Sequence, residues 1–149
     1  MCGIATETAK YVKELVGTTT ELLDTRKTAP GLRVLDKMAV KDGGGTNHRM
    51  GLYDMAMIKD NHIKMAGGIT KAVEQVRSNI APGIKIEVEA TTLDEVRQAI
   101  EAGADIIMLD NMGNEAMAEA VGIIHAANKG IKTEASGNMS IPRLKEVAA

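Results

Sequence analysis

Tryptophan and phenylalanine are absent from this 149-residue chain, and aromatic residues make up 1% of it. Its core must therefore be filled by Ile, Leu, Val, Ala and the 10 Met, which is ordinary for a layered β/α protein. A hydrophobic content of 44% is enough for such a core. Cysteine occurs once, as Cys2, which excludes an internal disulfide framework and an all-thiolate metal site. Charge of one sign is also lacking. At a net charge of −2 no global basic field recruits nucleic acid, so any attraction for anions must be local. No apolar run approaches the length of a membrane span, and Met1 to Lys10 has neither a basic nor an apolar signal region. The expectation is a soluble, cytoplasmic, single-domain protein with no nucleic-acid or membrane partner.

What is present is an alternation of helix and strand patterns. Ile4, Thr8, Tyr11 and Leu15 follow a helical stripe that Gly17 stops. Five runs read as strands: Glu21 to Thr25, Met55 to Lys59, Ile84 to Glu89, Ala104 to Asp110, and Ile131 to Ser136. Between the first two, Pro30-Gly31 opens a helix with Leu32, Leu35 and Ala39 on one face, closed by Gly43, and Gly43-Gly44-Gly45 breaks regular structure. Residues 46–53 read as a loop. A strong stripe at Ile69, Ala72, Val73, Val76 and Ile80 is a helix ended by Pro82-Gly83. Thr92-Leu93-Asp94-Glu95 has capping-box spacing, and its helix ends at Gly103. Met117, Val121 and Ile124 mark another helix, and Ser140 starts the last. This alternation implies an α/β fold with a parallel sheet, built as an incomplete TIM-like (β/α) barrel. Five strands cannot close an eight-stranded barrel, so the expectation is either a small open sheet or a piece of something larger.

The expected strands each end in a charged or hydroxyl residue: Arg26-Lys27, Lys59, Glu89, Asp110 and Ser136. In parallel barrels the carboxyl ends of the strands line the mouth where active sites sit, so these residues are expected around one cavity. Arginine grips carboxylate or phosphate with paired bonds, and lysine acts as a point charge. Asn47-His48-Arg49 adds donors after the triple glycine. Glu87 and Glu89 share one face of a strand, a costly arrangement without a cation nearby. Glu89 and Asp110, on neighbouring strand ends, could hold Mg²⁺ directly or through its waters, although Asp110 could equally cap the next helix. Ser136-Gly137-Asn138 leads toward a helix start, where phosphate is favoured. Lys59 should be partly desolvated at the end of an apolar strand. His125, on a helix, reads as structural.

Several runs together resemble the quinolinate phosphoribosyltransferase family. They are Asp-Thr-Arg-Lys-Thr at 24–28, Gly-Gly-Gly-Thr-Asn-His-Arg-Met-Gly-Leu at 43–52, Ile-Lys-Asp-Asn-His at 58–62, Glu-Val-Glu at 87–89, Met-Leu-Asp-Asn at 108–111 and Glu-Ala-Ser-Gly at 134–137. The resemblance extends over essentially the whole chain. It implies an incomplete α/β barrel preceded in the family by an α/β sandwich. It implies a pentosyltransferase that joins quinolinate to phosphoribosyl pyrophosphate with Mg²⁺, releasing nicotinate mononucleotide, pyrophosphate and CO₂ in NAD biosynthesis. It also implies a homo-oligomer, a dimer or higher.

By the same resemblance, Arg26, His48, Arg49 and Lys59 would hold the quinolinate carboxylates, with Thr25 beside them. Lys27 would reach the phosphoribosyl donor, Glu89 and Asp110 would face ribose hydroxyls and Mg²⁺, and Ser136, Gly137 and Asn138 would meet the 5′-phosphate. Lys27, Lys59, Glu89 and Asp110 would carry the catalytic roles. The sequence departs from the family pattern at Asn138, where a second glycine is usual. The family's N-terminal domain and its C-terminal strand with a Gly-rich phosphate loop have no counterpart here, so the chain reads as a fragment. Two rivals stay open: the molybdenum-transport-associated homologue of the same fold, and a non-catalytic anion-binding fragment.

Overall fold

The computed structural model describes residues 1–148. In chain order the elements are α1 (Cys2–Glu14), α2 (Arg33–Asp42), β1 (Ala56–Ile58), α3 (Asp60–Ala66), α4 (Ile69–Asn79), β2 (Ile86–Ala90), α5 (Leu93–Ala102), β3 (Ile106–Asp110), α6 (Asn114–Ala126), β4 (Lys132–Ser136) and α7 (Ile141–Ala148). They fall into two compact units, Met1–Leu52 with Met139–Ala149, and Tyr53–Asn138. No helix among the described residues is long and apolar enough to cross a membrane.

The first unit contains α1, α2 and α7. The expected stripe on α1 buries Thr8, and Leu15 lies just past its end. The chain then leaves the helix through Gly17 at φ +91°, a conformation that glycine adopts without strain. The strand expected over 21–25 does not form. Only Leu23 makes an isolated parallel bridge to Thr46, supported by Thr46 N–H donating to Leu22 O at 2.8 Å and Asp24 N–H to Thr46 O at 3.1 Å. Beyond it, Lys27 N–H donates to Thr25 Oγ1 at 3.0 Å, a local side-chain bond that competes with a strand ladder.

The three apolar residues read on one face of α2 differ in burial. Ala39 is buried, but Leu32 and Leu35 are exposed, with Val34 and Met38 beside them. The residues facing inward include Lys37, fully buried, and the partly buried Arg33 and Asp36. Their charges find partners in the flanking loops, described below.

The second unit is a four-stranded parallel sheet in the order β1-β2-β3-β4. The sheet therefore has one strand fewer than the five read from sequence. Its register places Ile58 opposite Val88, Glu89 opposite Met108, and Asp110 opposite Ser136. The core is the apolar set Ile58, Ile86, Val88, Ile107 and Leu109 from the strands, with Val73, Val96, Ala99 and Ile124 from the helices. Edge strand β4 exposes Lys132 and Thr133, which blunts it against further pairing.

The helices follow their signals closely. Thr92 Oγ1 accepts from Glu95 N–H at 3.2 Å, and Glu95 Oε2 accepts in return from Thr91 N–H at 2.7 Å, one residue earlier than an ideal capping box. Helix α3 was not expected from sequence. It is only 7 residues long and buries none of them, so no apolar stripe announces it.

Four of the ten methionines, Met55, Met108, Met112 and Met117, are buried as core filler, whereas Met1, Met38 and Met65 are exposed. At the amino ends of the strands, Asp105 Oδ2 accepts from Ile86 N–H at 2.8 Å and from Arg77 at 2.9 Å. That pins β2, β3 and α4 at the edge away from the charged strand ends.

Candidate active site

The carboxyl ends of the second unit's strands gather polar side chains, as parallel strands followed by helices require. Lys59 directly follows β1, Glu89 lies near the end of β2, and Asp110 and Ser136 end β3 and β4. The Lys59 ammonium donates to Glu89 Oε2 at 2.5 Å. The Lys59 side chain is 44% exposed, so it is only partly desolvated, while Glu89 is 13% exposed. His62 Nδ1 accepts from the Lys59 backbone N–H at 3.0 Å, which fixes the backbone from which this lysine projects. Glu87, one pleat back on β2, is fully buried.

A second chain of contacts runs from β3 to the end of β4. Asn111 Nδ2 donates to Asp110 Oδ2 at 2.8 Å, and Asn138 Nδ2 donates to Asn111 Oδ1 at 3.1 Å. Asn111 N–H also donates to Ser136 O at 3.0 Å. Asn111 and Asn138 both have positive φ, 54° and 52°. Asparagine is among the few residues that tolerate this region. Gly137 has no such latitude. A Cβ there would lie 2.1 Å from Asn111 Oδ1, and its φ is +87°. Asp110 does not cap the next helix; Gly113 is the N-cap of α6.

The donor set formed by Glu89 and Asp110 is two carboxylates on adjacent strand ends, an all-oxygen set of the kind that suits a hard cation such as Mg²⁺. Asp110 uses one oxygen in the hydrogen bond to Asn111, and Glu89 uses one for Lys59. Each therefore keeps a second oxygen with which to face an ion or its waters.

The other sequence-expected residues lie in the first unit. Thr25 and Lys27 are exposed, and Arg26, His48 and Arg49 are partly buried. Beside them a cleft of ≈ 200 Å³ is lined by Thr25, Lys27 and Thr28 with Asp24, Asp36 and Lys37. Asp24 ties the two loops together, accepting from His48 N–H at 2.8 Å, from Asn47 Nδ2 at 2.5 Å and from Lys37 Nζ at 2.5 Å. Sequence reasoning passed over Asp24, Arg33, Lys37 and Asn111 as site residues. A signal for two of them was present: Arg33 and Lys37 are four apart on α2, on one helical face. His125 is exposed in the last turn of α6.

Comparison with known proteins agrees with the motifs. A probable nicotinate-nucleotide pyrophosphorylase (carboxylating) of Synechocystis is 51% identical over 149 residues, covering 100% of this chain and 50% of that protein. A protein of the same description from Bacillus subtilis is 46% identical over 144 residues, covering 97% of this chain and 49% of its own length. The solved nicotinate-nucleotide pyrophosphorylase of Francisella tularensis superposes with a TM-score of 0.91 at 47% identity, covering 98% of this chain and 51% of that one. The chain thus spans about half the length of the relatives it matches. Residues 4–149 match the family described as quinolinate phosphoribosyl transferase, C-terminal domain. The chain belongs to that family.

Proposed function

We propose that this chain supplies the phosphoribosyl-transfer site of a quinolinate phosphoribosyltransferase. The reaction joins quinolinate to phosphoribosyl pyrophosphate and gives nicotinate mononucleotide, pyrophosphate and CO₂. The observation that carries the proposal is the Lys59–Glu89 pair at 2.5 Å on adjoining strand ends, in a chain of this family. A cation held on a carboxylate beside Asp110 suits a reaction in which both charge types act on one substrate.

The nucleophile is the pyridine nitrogen of quinolinate, so no protein base is needed to create it. What the protein must do is orient that nitrogen against the anomeric carbon and stabilise the charges that develop. Arg26, His48, Arg49 and Lys59 hold the two carboxylates, with Thr25 beside them, and Lys27 reaches the phosphoribosyl donor. Glu89 and Asp110 favour the cationic, oxocarbenium-like ribose and face its hydroxyls. Bound there, Mg²⁺ would neutralise the departing pyrophosphate. Ser136, Gly137 and Asn138 receive the 5′-phosphate. Loss of the 2-carboxylate follows from the electron-poor pyridinium once the new bond has formed.

The test is turnover with quinolinate and phosphoribosyl pyrophosphate, run on these 149 residues and on the longest reading frame that contains them. Formation of nicotinate mononucleotide by the longer form, dependent on Lys59 and Glu89, is expected. Absence of product from it, with the fold intact, would overturn the proposal.

A further inference from the structure

Helix α2 turns Arg33, Asp36 and Lys37 inward and several of its hydrophobes outward. Leu32, Val34, Leu35 and Met38 are 46%, 61%, 41% and 50% exposed, whereas Lys37 is 2% exposed. Arg33 and Lys37 each bond to both of the loops that carry the expected anion-binding side chains, and Asp36 bonds to the first of them. Arg33 donates to Arg26 O at 3.3 Å, to Thr28 Oγ1 at 3.4 Å and to Met50 O at 3.3 Å. Asp36 Oδ2 accepts from Ala29 N–H at 2.9 Å. Lys37 Nζ donates to Asp24 Oδ1 at 2.5 Å and to His48 O at 3.1 Å. Asp24 then closes the arrangement by accepting from Asn47 and from His48 N–H. Asn47 Nδ2 also donates to Lys37 O at 3.0 Å, back onto the helix.

We infer that Arg33 and Lys37, with Asp24 as their shared hub, are positioning residues that hold Arg26-Lys27 and His48-Arg49 in fixed relation within the first unit. They act through the loops and touch no substrate. Two physical arguments support this. A buried ion pair is seldom more stabilising than well-packed apolar side chains of the same volume, so stability alone gives weak reason to keep Lys37 and Asp24 buried. The bonds also end on the backbone carbonyls of Arg26, His48 and Met50, within or beside the anion-binding segments. A rigid, planar dianion rewards donors whose spacing is set before it arrives, because the ordering is then not charged against binding. The identity of that dianion rests on the proposed function; the positioning does not.

The experiment compares the wild-type chain with the double variant Asp24→Asn/Lys37→Met, with Arg33→Lys, and with the control Lys71→Ala on the exposed side of α4. The double variant removes both charges together, so no uncompensated charge is left buried. Its amide can no longer accept at both positions. Arg33→Lys keeps the charge, but a single ammonium cannot reach all three acceptors. Two quantities are read: hydrogen exchange at the amides of Asp24, Thr46 and His48, and quinolinate affinity by NMR titration, scaled to the folded fraction.

For the double variant we expect at least tenfold faster exchange at Thr46 and His48 with β2 and β3 amides unchanged, and at least tenfold weaker quinolinate binding. For Arg33→Lys we expect roughly fivefold weaker binding, and for Lys71→Ala no change. Unchanged affinity in the folded population would overturn the inference, as would protection lost evenly across the unit. Should the double variant fail to fold, Arg33→Lys decides by the same criterion. Should the wild type not bind quinolinate while the loop amides respond as expected, the positioning stands, and the substrate is decided separately by turnover of the longer form.

Discussion

Lys59 Nζ lies 2.5 Å from Glu89 Oε2, joining the carboxyl ends of two paired parallel strands. Lys59 is nearly half exposed, so the pair adds little to stability. On the proposed function, an anionic substrate would compete with Glu89 for the Lys59 ammonium. Lys59→Ala should therefore lower kcat/KM for quinolinate by about tenfold to a hundredfold, the range for losing a charge-assisted bond of ~1.5–3 kcal/mol. Lys71→Ala, on the exposed side of α4, should leave it within about twofold. Steady-state kinetics on the two variants decide this, and equal losses would contradict the role given to Lys59.

The contacts from Asp110 through Asn111 to Asn138 make a second prediction. Gly137→Ala would place a Cβ 2.1 Å from Asn111 Oδ1 at a φ of +87°. The clash and the backbone strain together should cost about 2–4 kcal/mol and break the chain of amides that orients Asp110. At Asn138, whose φ is 52°, replacement by glycine should be near neutral, whereas alanine should cost about 1 kcal/mol. Urea denaturation of the three variants gives the ranking, and an alanine at 138 as stable as glycine would count against it.

Much of the second unit was legible because its signals are strong. The runs that end in Ile58, Val88 and Leu109 are bounded by turns and pack between helices with clear apolar stripes. The first unit was less so. Leu22-Leu23 looks like a strand, yet its neighbours Asp24 and Thr25 direct their hydrogen-bonding capacity into loops, and only one bridge forms. An apolar stripe normally marks the core face of a helix, but on α2 Leu32 and Leu35 are exposed and only Ala39 of that stripe is buried. Here buried polar partners for Arg33 and Lys37 override that rule, and nothing local in the sequence reveals partners 11 to 17 residues away. Helix α3 is too short and too exposed to leave a periodic trace.

The start of α3 allows a titration prediction. The Asp60 carboxyl is held below its ordinary value of 3.8, first by a hydrogen bond with the Asn61 backbone and then by Lys64. A depressed folded-state value means that its stabilising contribution is complete above the ordinary carboxylate range. That contribution is lost as pH falls through the lower, folded-state value. Carbon-detected NMR of the Asp60 carboxyl should show a midpoint below 3.8. Lys64→Ala should raise that midpoint only part of the way, because the contact with Asn61 remains. A wild-type midpoint at or above the ordinary value would refute this.

The triple glycine supplies the last prediction. A glycine run beside a binding loop suggests flexibility, but two of these glycines are held by contact instead. A Cβ on Gly43 would lie 2.5 Å from Ala5 O and 2.6 Å from Thr8 Cβ, and one on Gly45 would lie 2.8 Å from Val40 Cγ1. Gly43 ends α2 where it crosses α1, with its N–H donating to Ala39 O at 3.1 Å. The glycines thus let α1 and the end of α2 approach closely, and this packing fixes where Thr46 and His48 emerge. Gly43→Ala meets a backbone oxygen and a buried Cβ, neither of which can swing aside. It should destabilise by about 2–3 kcal/mol, the upper range for overpacking. Gly45→Ala meets the branched Val40 side chain and should cost about 1–2 kcal/mol. Gly113→Ala, with no atom within 4 Å of the added Cβ and no positive φ, should fall within about 0.5 kcal/mol of wild type. Thermal or urea unfolding of the three variants tests the order. If Gly43→Ala were as stable as Gly113→Ala, the glycines would be serving flexibility rather than close packing.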